Sequence, residues 1–111
     1  MAQGGGKYKG WGRKDLNQDI IVEALEKAGA SVLDLSALGG GVPDLAVSFR
    51  GVIDLIEIKN PSNSYGKRGL NKRQQTWVDA WRGKPVIVVR TVEEALRAIG
   101  ALREPSNTVR P

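Results

Sequence analysis

The chain has 111 residues, room for one domain with a modest core, and 41% hydrophobic against 26% charged residues is the balance of an ordinary globular protein. With neither cysteine nor histidine it has no disulfide framework, no ordinary zinc site and no histidine-based catalysis, so any metal must be held by oxygen, which favours magnesium or manganese. No apolar stretch approaches the roughly 18 to 20 residues of a membrane span and no signal-peptide hydrophobic region opens the chain, so a cytoplasmic location is expected. Lys and Arg number 17 against 12 Asp and Glu, a net +5 that permits a nucleic-acid partner. The distribution is more telling, because no acid falls between Ile58 and Val78, where Lys59, Lys67, Arg68, Lys72 and Arg73 all lie.

Residues 1–12 carry five glycines with Lys7, Tyr8, Lys9 and Trp11. They read as a basic arm, either a solubilising tail or a segment that orders on a phosphate backbone or a partner subunit. Residues 15–28 place Leu16, Ile20, Ile21, Ala24, Leu25 and Ala28 at helical spacing, with Gly29 positioned to stop the helix. A short strand is expected over 31–35, then a loop over 37–43 containing Gly39-Gly40-Gly41, which either approaches a ligand or makes a tight connection. Strands over 45–49 and 52–58 flank Arg50-Gly51, a two-residue turn. Alternation puts Ile53, Leu55, Glu57 and Lys59 on one face and Val52, Asp54, Ile56 and Ile58 on the other. After a loop over 60–69, a second helix is expected over 70–82, with Leu70, Gln74, Trp77, Val78 and Trp81 along one face. Trp77 and Trp81, one turn apart, read as core or interface residues, with stacking on nucleotides as the alternative. A strand over 85–89 follows, then a helix opened by Thr91 and Glu94 as a capping box and closed by Gly100, and a tail over 101–111.

The chemistry concentrates at Asp44 and at Glu57-Ile58-Lys59. A hairpin between them brings two strand ends together, so that Asp44, Glu57 and the Ile58 backbone carbonyl present oxygens to one magnesium ion, while Lys59 points from the same face as Glu57. Phosphodiester hydrolysis needs an activated water and a neutralised phosphate, and such a set provides for both. The plainer alternative is a solvated Glu–Lys pair worth about 0–1 kcal/mol.

The order of an amphipathic helix, Gly39-Gly40-Gly41-Val42-Pro43-Asp44-Leu45, a hairpin, Ile56-Glu57-Ile58-Lys59, a basic loop and Leu70-Asn71-Lys72-Arg73-Gln74-Gln75-Thr76-Trp77 resembles the VRR-NUC family of the PD-(D/E)XK nucleases. It is most similar to small phage and bacterial members that are organised like Holliday junction resolvases. The resemblance spans residues 17–96 and implies an α/β restriction-endonuclease-like core, a mixed central sheet with flanking helices in the order α-β-β-β-α-β-α. It implies a nuclease domain over residues 13–100, in a bacterial cell or phage-infected host. Asp44 and Glu57 would be metal ligands, Lys59 the motif lysine and Gln75 the glutamine that approaches water or phosphate, with Gln74 as its competitor by helix phase. Many relatives carry a glutamate in the first helix where this chain has Asn17, Gln18 and Asp19, so those three are the candidates for an added metal contact, with Glu23 beyond them. Magnesium, with manganese as substitute, would be the cofactor and branched DNA the substrate of a homodimer. Lys67, Arg68, Lys72 and Arg73 would meet phosphates near the cut, and Lys7, Lys9, Arg13 and Lys14 a second stretch. The rival expectations are a nuclease for flap, nicked or single-stranded DNA, and a non-catalytic DNA-binding or assembly domain of the same fold.

Overall fold

A computed structural model describes residues 13–60 and 69–102, with only the backbone of 13–16. The expected arm, Lys7, Lys9, Lys67, Arg68 and residues 103–111 lie outside the described residues. The elements run α1 (Arg13–Lys27), β1 (Ser31–Asp34), a 3-10 turn (Ser36–Leu38), β2 (Leu45–Phe49), β3 (Val52–Ile58), α2 (Lys72–Ala80), β4 (Ile87–Val89) and α3 (Val92–Ala98). That is the α-β-β-β-α-β-α order, an α/β fold around one mixed sheet.

Helix α1 buries Ile21 and Leu25, one turn apart, while Ile20 stays half exposed on its flank. It ends where Gly29 takes φ +104°. There the Ala30 N–H donates to the Leu25 carbonyl and the Gly29 N–H to the Glu26 carbonyl, each at 3.0 Å, and Ala30 packs down onto buried Leu25. This is a Schellman cap, and only glycine takes its left-handed position without strain.

In the sheet the strands lie side by side in chain order, β1, β2 and β3 antiparallel and β4 parallel to β3. The parallel step needs a crossover, and α2 supplies it. Arg50 and Gly51 both have positive φ, 54° and 82°, the signature of the tight turn whose twist matches a hairpin. The turn sets the register from Phe49 opposite Val52 to Leu45 opposite Ile56.

One sheet face presents Leu45, Val47, Phe49, Ile56, Ile58 and Val89 to α1 and α3, whose Ile21, Leu25, Ala95 and Ile99 complete the core. Each large side chain buried there stabilises the fold by about 1.5–3 kcal/mol. Asp54 is buried on the same face, and Lys84 reaches it at 2.6 Å from the surface. The opposite face carries Leu33 and Ile53, each 61% exposed.

The structure departs from the expectations at four places. Helix α2 starts at Lys72 because Asn71 caps it, leaving Leu70 to be buried in the approach, and no residue of the helix itself is buried. Trp77 and Trp81 are therefore not core residues; they stack on each other, ring centres 5.0 Å apart at 17°, and Trp81 is 43% exposed. Strand β4 begins only at Ile87, beyond Pro85, whose nitrogen has no hydrogen to give a sheet. Before α3 the Thr91 hydroxyl does cap the Glu94 N–H at 3.1 Å, yet Glu94 turns its carboxylate to the Arg90 N–H at 2.6 Å, so the capping box is not reciprocal.

Candidate active site

The hairpin register ends at Leu45 and Ile56, and one step further Asp44 comes opposite Glu57. Both acids are buried, at 6% and 4% exposure. The Asp44 carboxylate accepts a hydrogen bond from the Ile58 N–H at 2.7 Å, and its own backbone carbonyl accepts one from the Leu35 N–H at 2.7 Å. Asp44 is thus pinned between β1 and β3, with buried Pro43 before it. Strand alternation turns Glu57 and Lys59 to the face away from the main core. There the Lys59 ammonium lies 3.7 Å from the Glu57 carboxylate, both side chains almost fully shielded. The Lys59 backbone N–H is tied to the Val89 carbonyl at 2.9 Å, which anchors that lysine to β4.

Gln74 completes the cluster. Its amide nitrogen donates to Glu57 and its amide oxygen accepts from the Lys59 ammonium, both at 2.7 Å. The same oxygen accepts from the Asn71 N–H at 3.1 Å, while the Asn71 side chain caps the Gln74 N–H at 2.9 Å. The capping box of α2 and the acid–lysine cluster therefore share one side chain. A buried carboxylate and ammonium would each be costly unpaired, and here every pairing is charge-assisted.

Gln75 lies outside this group. It donates to Asp79 at 2.7 Å along the helix surface, whereas Gln74, its competitor by helix phase, is the glutamine that meets Glu57 and Lys59. Of the first-helix candidates, Gln18 is buried and donates to Asp34 at 3.0 Å, an acid outside the expected site. Asp34 is also held by the Ser36 backbone N–H and hydroxyl. The Asn17 amide nitrogen is buried with no hydrogen-bond partner among the described residues. Among the described residues no third Asp or Glu closes with Asp44 and Glu57 into a metal-sized group. Two carboxylates from adjacent strand ends nevertheless suit a hard divalent cation, which commonly takes one or two carboxylates and fills its shell with water and substrate oxygens.

Lys72 and Arg73, in the first turn of α2, are exposed and border a cavity beside the cluster. Arg13 and Lys14 fall in the first turn of α1, their side chains outside the described set. Sequence signals existed for two of the missed residues: Asn71 followed three positions later by Gln74 is a capping-box pattern, and Asp34 two before Ser36 is a turn pattern.

No family model matches the chain, and no curated protein matches it. A solved structure described as a VRR_NUC domain does match, at 27% identity and a TM-score of 0.56, covering 78% of this chain and 92% of that one. The mixed four-stranded sheet with its helices is a nuclease-type α/β fold. The likeness to the VRR-NUC family, carried in the sequence by the segments around Asp44 and Glu57, holds in three dimensions.

Proposed function

We propose that this protein is a metal-dependent, structure-specific endodeoxyribonuclease of the PD-(D/E)XK type that hydrolyses phosphodiester bonds in branched DNA, with the Holliday junction as preferred substrate. The observation that carries this reading is the cluster of buried Asp44, Glu57 and Lys59 with half-buried Gln74 on a VRR_NUC-like fold. Two acids and a lysine buried together are costly and add little to stability, which favours a chemical purpose.

In this reading Asp44 and Glu57 hold one magnesium ion, with manganese as substitute, and the Ile58 carbonyl is a further oxygen for it. A divalent ion held there supplies counter-charge for the phosphate and raises the acidity of water. Asp44, fixed by the Ile58 N–H, offers its carboxylate in a set direction. Lys59 places a positive donor beside the acids, where it orients the attacking water or stabilises charge on the phosphate oxygens. Gln74 holds Lys59 and Glu57 at the spacing they need and can pass its amide hydrogens to water or phosphate as the substrate enters. Exposed Lys72 and Arg73 stand ready for the DNA backbone, which fits recognition of shape over sequence.

A homodimer belongs to the same proposal, since two sites are needed to nick opposite strands of a four-way junction. It is supported by the outer sheet face, where exposed Leu33 and Ile53 gather with Ala46 and Ser48 around a shallow depression. The test is cleavage of duplex, nicked, flap, single-stranded and four-way DNAs in magnesium, manganese or chelator. Metal-stimulated cutting concentrated on the four-way DNA is expected. Preference for flap or single-stranded DNA would move the substrate, and failure to cut any of them would leave a binding domain.

A further inference from the structure

Beside the cluster, where α2 faces the glycine loop, is a cavity of about 580 Å³ lined by Gly40, Lys72, Arg73, Thr76, Trp77 and Ala80. The cavity shares its two walls with the cluster: Arg73 is next to Gln74 on α2, and Gly40 lies four residues before Asp44, although no side chain of the cluster itself lines the cavity. Its wall is set by a close approach: a Cβ on Gly41 would lie 2.5 Å from the Arg73 carbonyl oxygen, so loop and helix meet there backbone to backbone. The Trp77 ring is half-buried and held by its stack on Trp81. The Thr76 hydroxyl already donates to the Lys72 carbonyl at 3.0 Å. What the cavity offers is thus a fixed aromatic ring and two exposed cations, with little to read the edge of a base.

We propose that this cavity is a nucleotide subsite. An unstacked base lies on Trp77 while Lys72 and Arg73 take the adjoining phosphates. The inference rests on the nuclease reading and deepens it, because a base inside a continuous duplex is stacked on both sides and cannot enter. The substrate must present a nucleotide splayed out near the scissile phosphate, as a branch point does, and any base will serve, since every base has a face to stack.

The test uses the full chain in chelator, so that binding is read without cleavage, with branched DNA carrying the fluorescent base 2-aminopurine unpaired at the branch. Binding to the unaltered protein quenches the probe. Trp77→Leu abolishes the quench and weakens binding to branched DNA about tenfold, leaves binding to fully paired duplex unchanged, and Trp77→Phe restores both quench and affinity. Circular dichroism of each variant checks that α2 remains folded. Equal binding of branched DNA by Trp77→Leu and the unaltered protein, or equal losses on branched and paired DNA, overturns the subsite. Quenching that depends on Trp77 in a protein that cuts nothing in magnesium supports the subsite and refutes the nuclease reading instead.

Discussion

Lys59 is the residue on which the site turns, since its ammonium is well shielded and Glu57 and Gln74 both meet it. Gln74 has contacts to both members of that pair, so Gln74→Ala removes one hydrogen bond from each. We expect its single-turnover cleavage rate to fall on the order of a hundredfold, the scale of losing one well-placed polar group, while Gln75→Ala, which removes only a surface bond to Asp79, cuts as the unaltered protein does. Parity of the two variants would show that the amide contacts do not matter to chemistry. The two glutamines also show where sequence reasoning reaches its limit. Helix phase points Gln74 inward, alongside Leu70 and Trp77, where the pattern predicts an apolar core. The interior it faces is the acid–lysine cluster, and only the sheet behind it could reveal that. Asp34 was hidden for a similar reason: its importance comes from Gln18, sixteen residues away on another element.

At the level of elements, α2 is fastened by its ends and one polar side chain, with no buried residue of its own. Asn71→Ala therefore does two things at once: it removes a cap worth about 1 kcal/mol and frees Gln74 from its capping partner. A drop in thermal midpoint together with a fall in cleavage rate is expected, and a drop in stability with full activity would separate the cap from the site. Gly41 and Gly40 give a sharper contrast, both at positive φ, 87° and 66°, but only Gly41 backed by the Arg73 carbonyl. Gly40→Ala should cost about 1 kcal/mol, the left-handed penalty alone, and Gly41→Ala measurably more in denaturant titration, with α2 displaced. The hairpin was the most legible part of the fold, because Arg50-Gly51 and the alternation of β3 settle its register locally, and the register alone brings Asp44 to Glu57. The glycine stops of α1 and α3 were legible for the same reason. Helix α2 was not: its tryptophans satisfy a core pattern yet stack outside the core, as the short helix meets the sheet through Gln74 rather than through an apolar face.

For the molecule as a whole, the sheet is covered on one face by α1 and α3 and left with Leu33 and Ile53 exposed on the other. If that face joins two copies, Leu33→Asp with Ile53→Asp should shift sedimentation from dimer to monomer, whereas a monomeric unaltered protein would remove the symmetric-nicking proposal. DNA binding should also weaken steeply with salt, as several phosphate contacts through Lys72, Arg73 and the remaining basic residues require, and a nearly flat response would count against the basic border. Among the described residues no helix is long and apolar enough to cross a membrane. If Asp44, Glu57 and Lys59 form a metal-dependent hydrolytic centre, single-turnover cleavage of labelled four-way DNA in magnesium by the unaltered protein and by Asp44→Asn, Glu57→Ala and Lys59→Ala will show it. Cleavage by the unaltered protein that chelator abolishes, with each variant slowed at least about a hundredfold while still binding the DNA, is the expected result; variants that cut at the unaltered rate would contradict it.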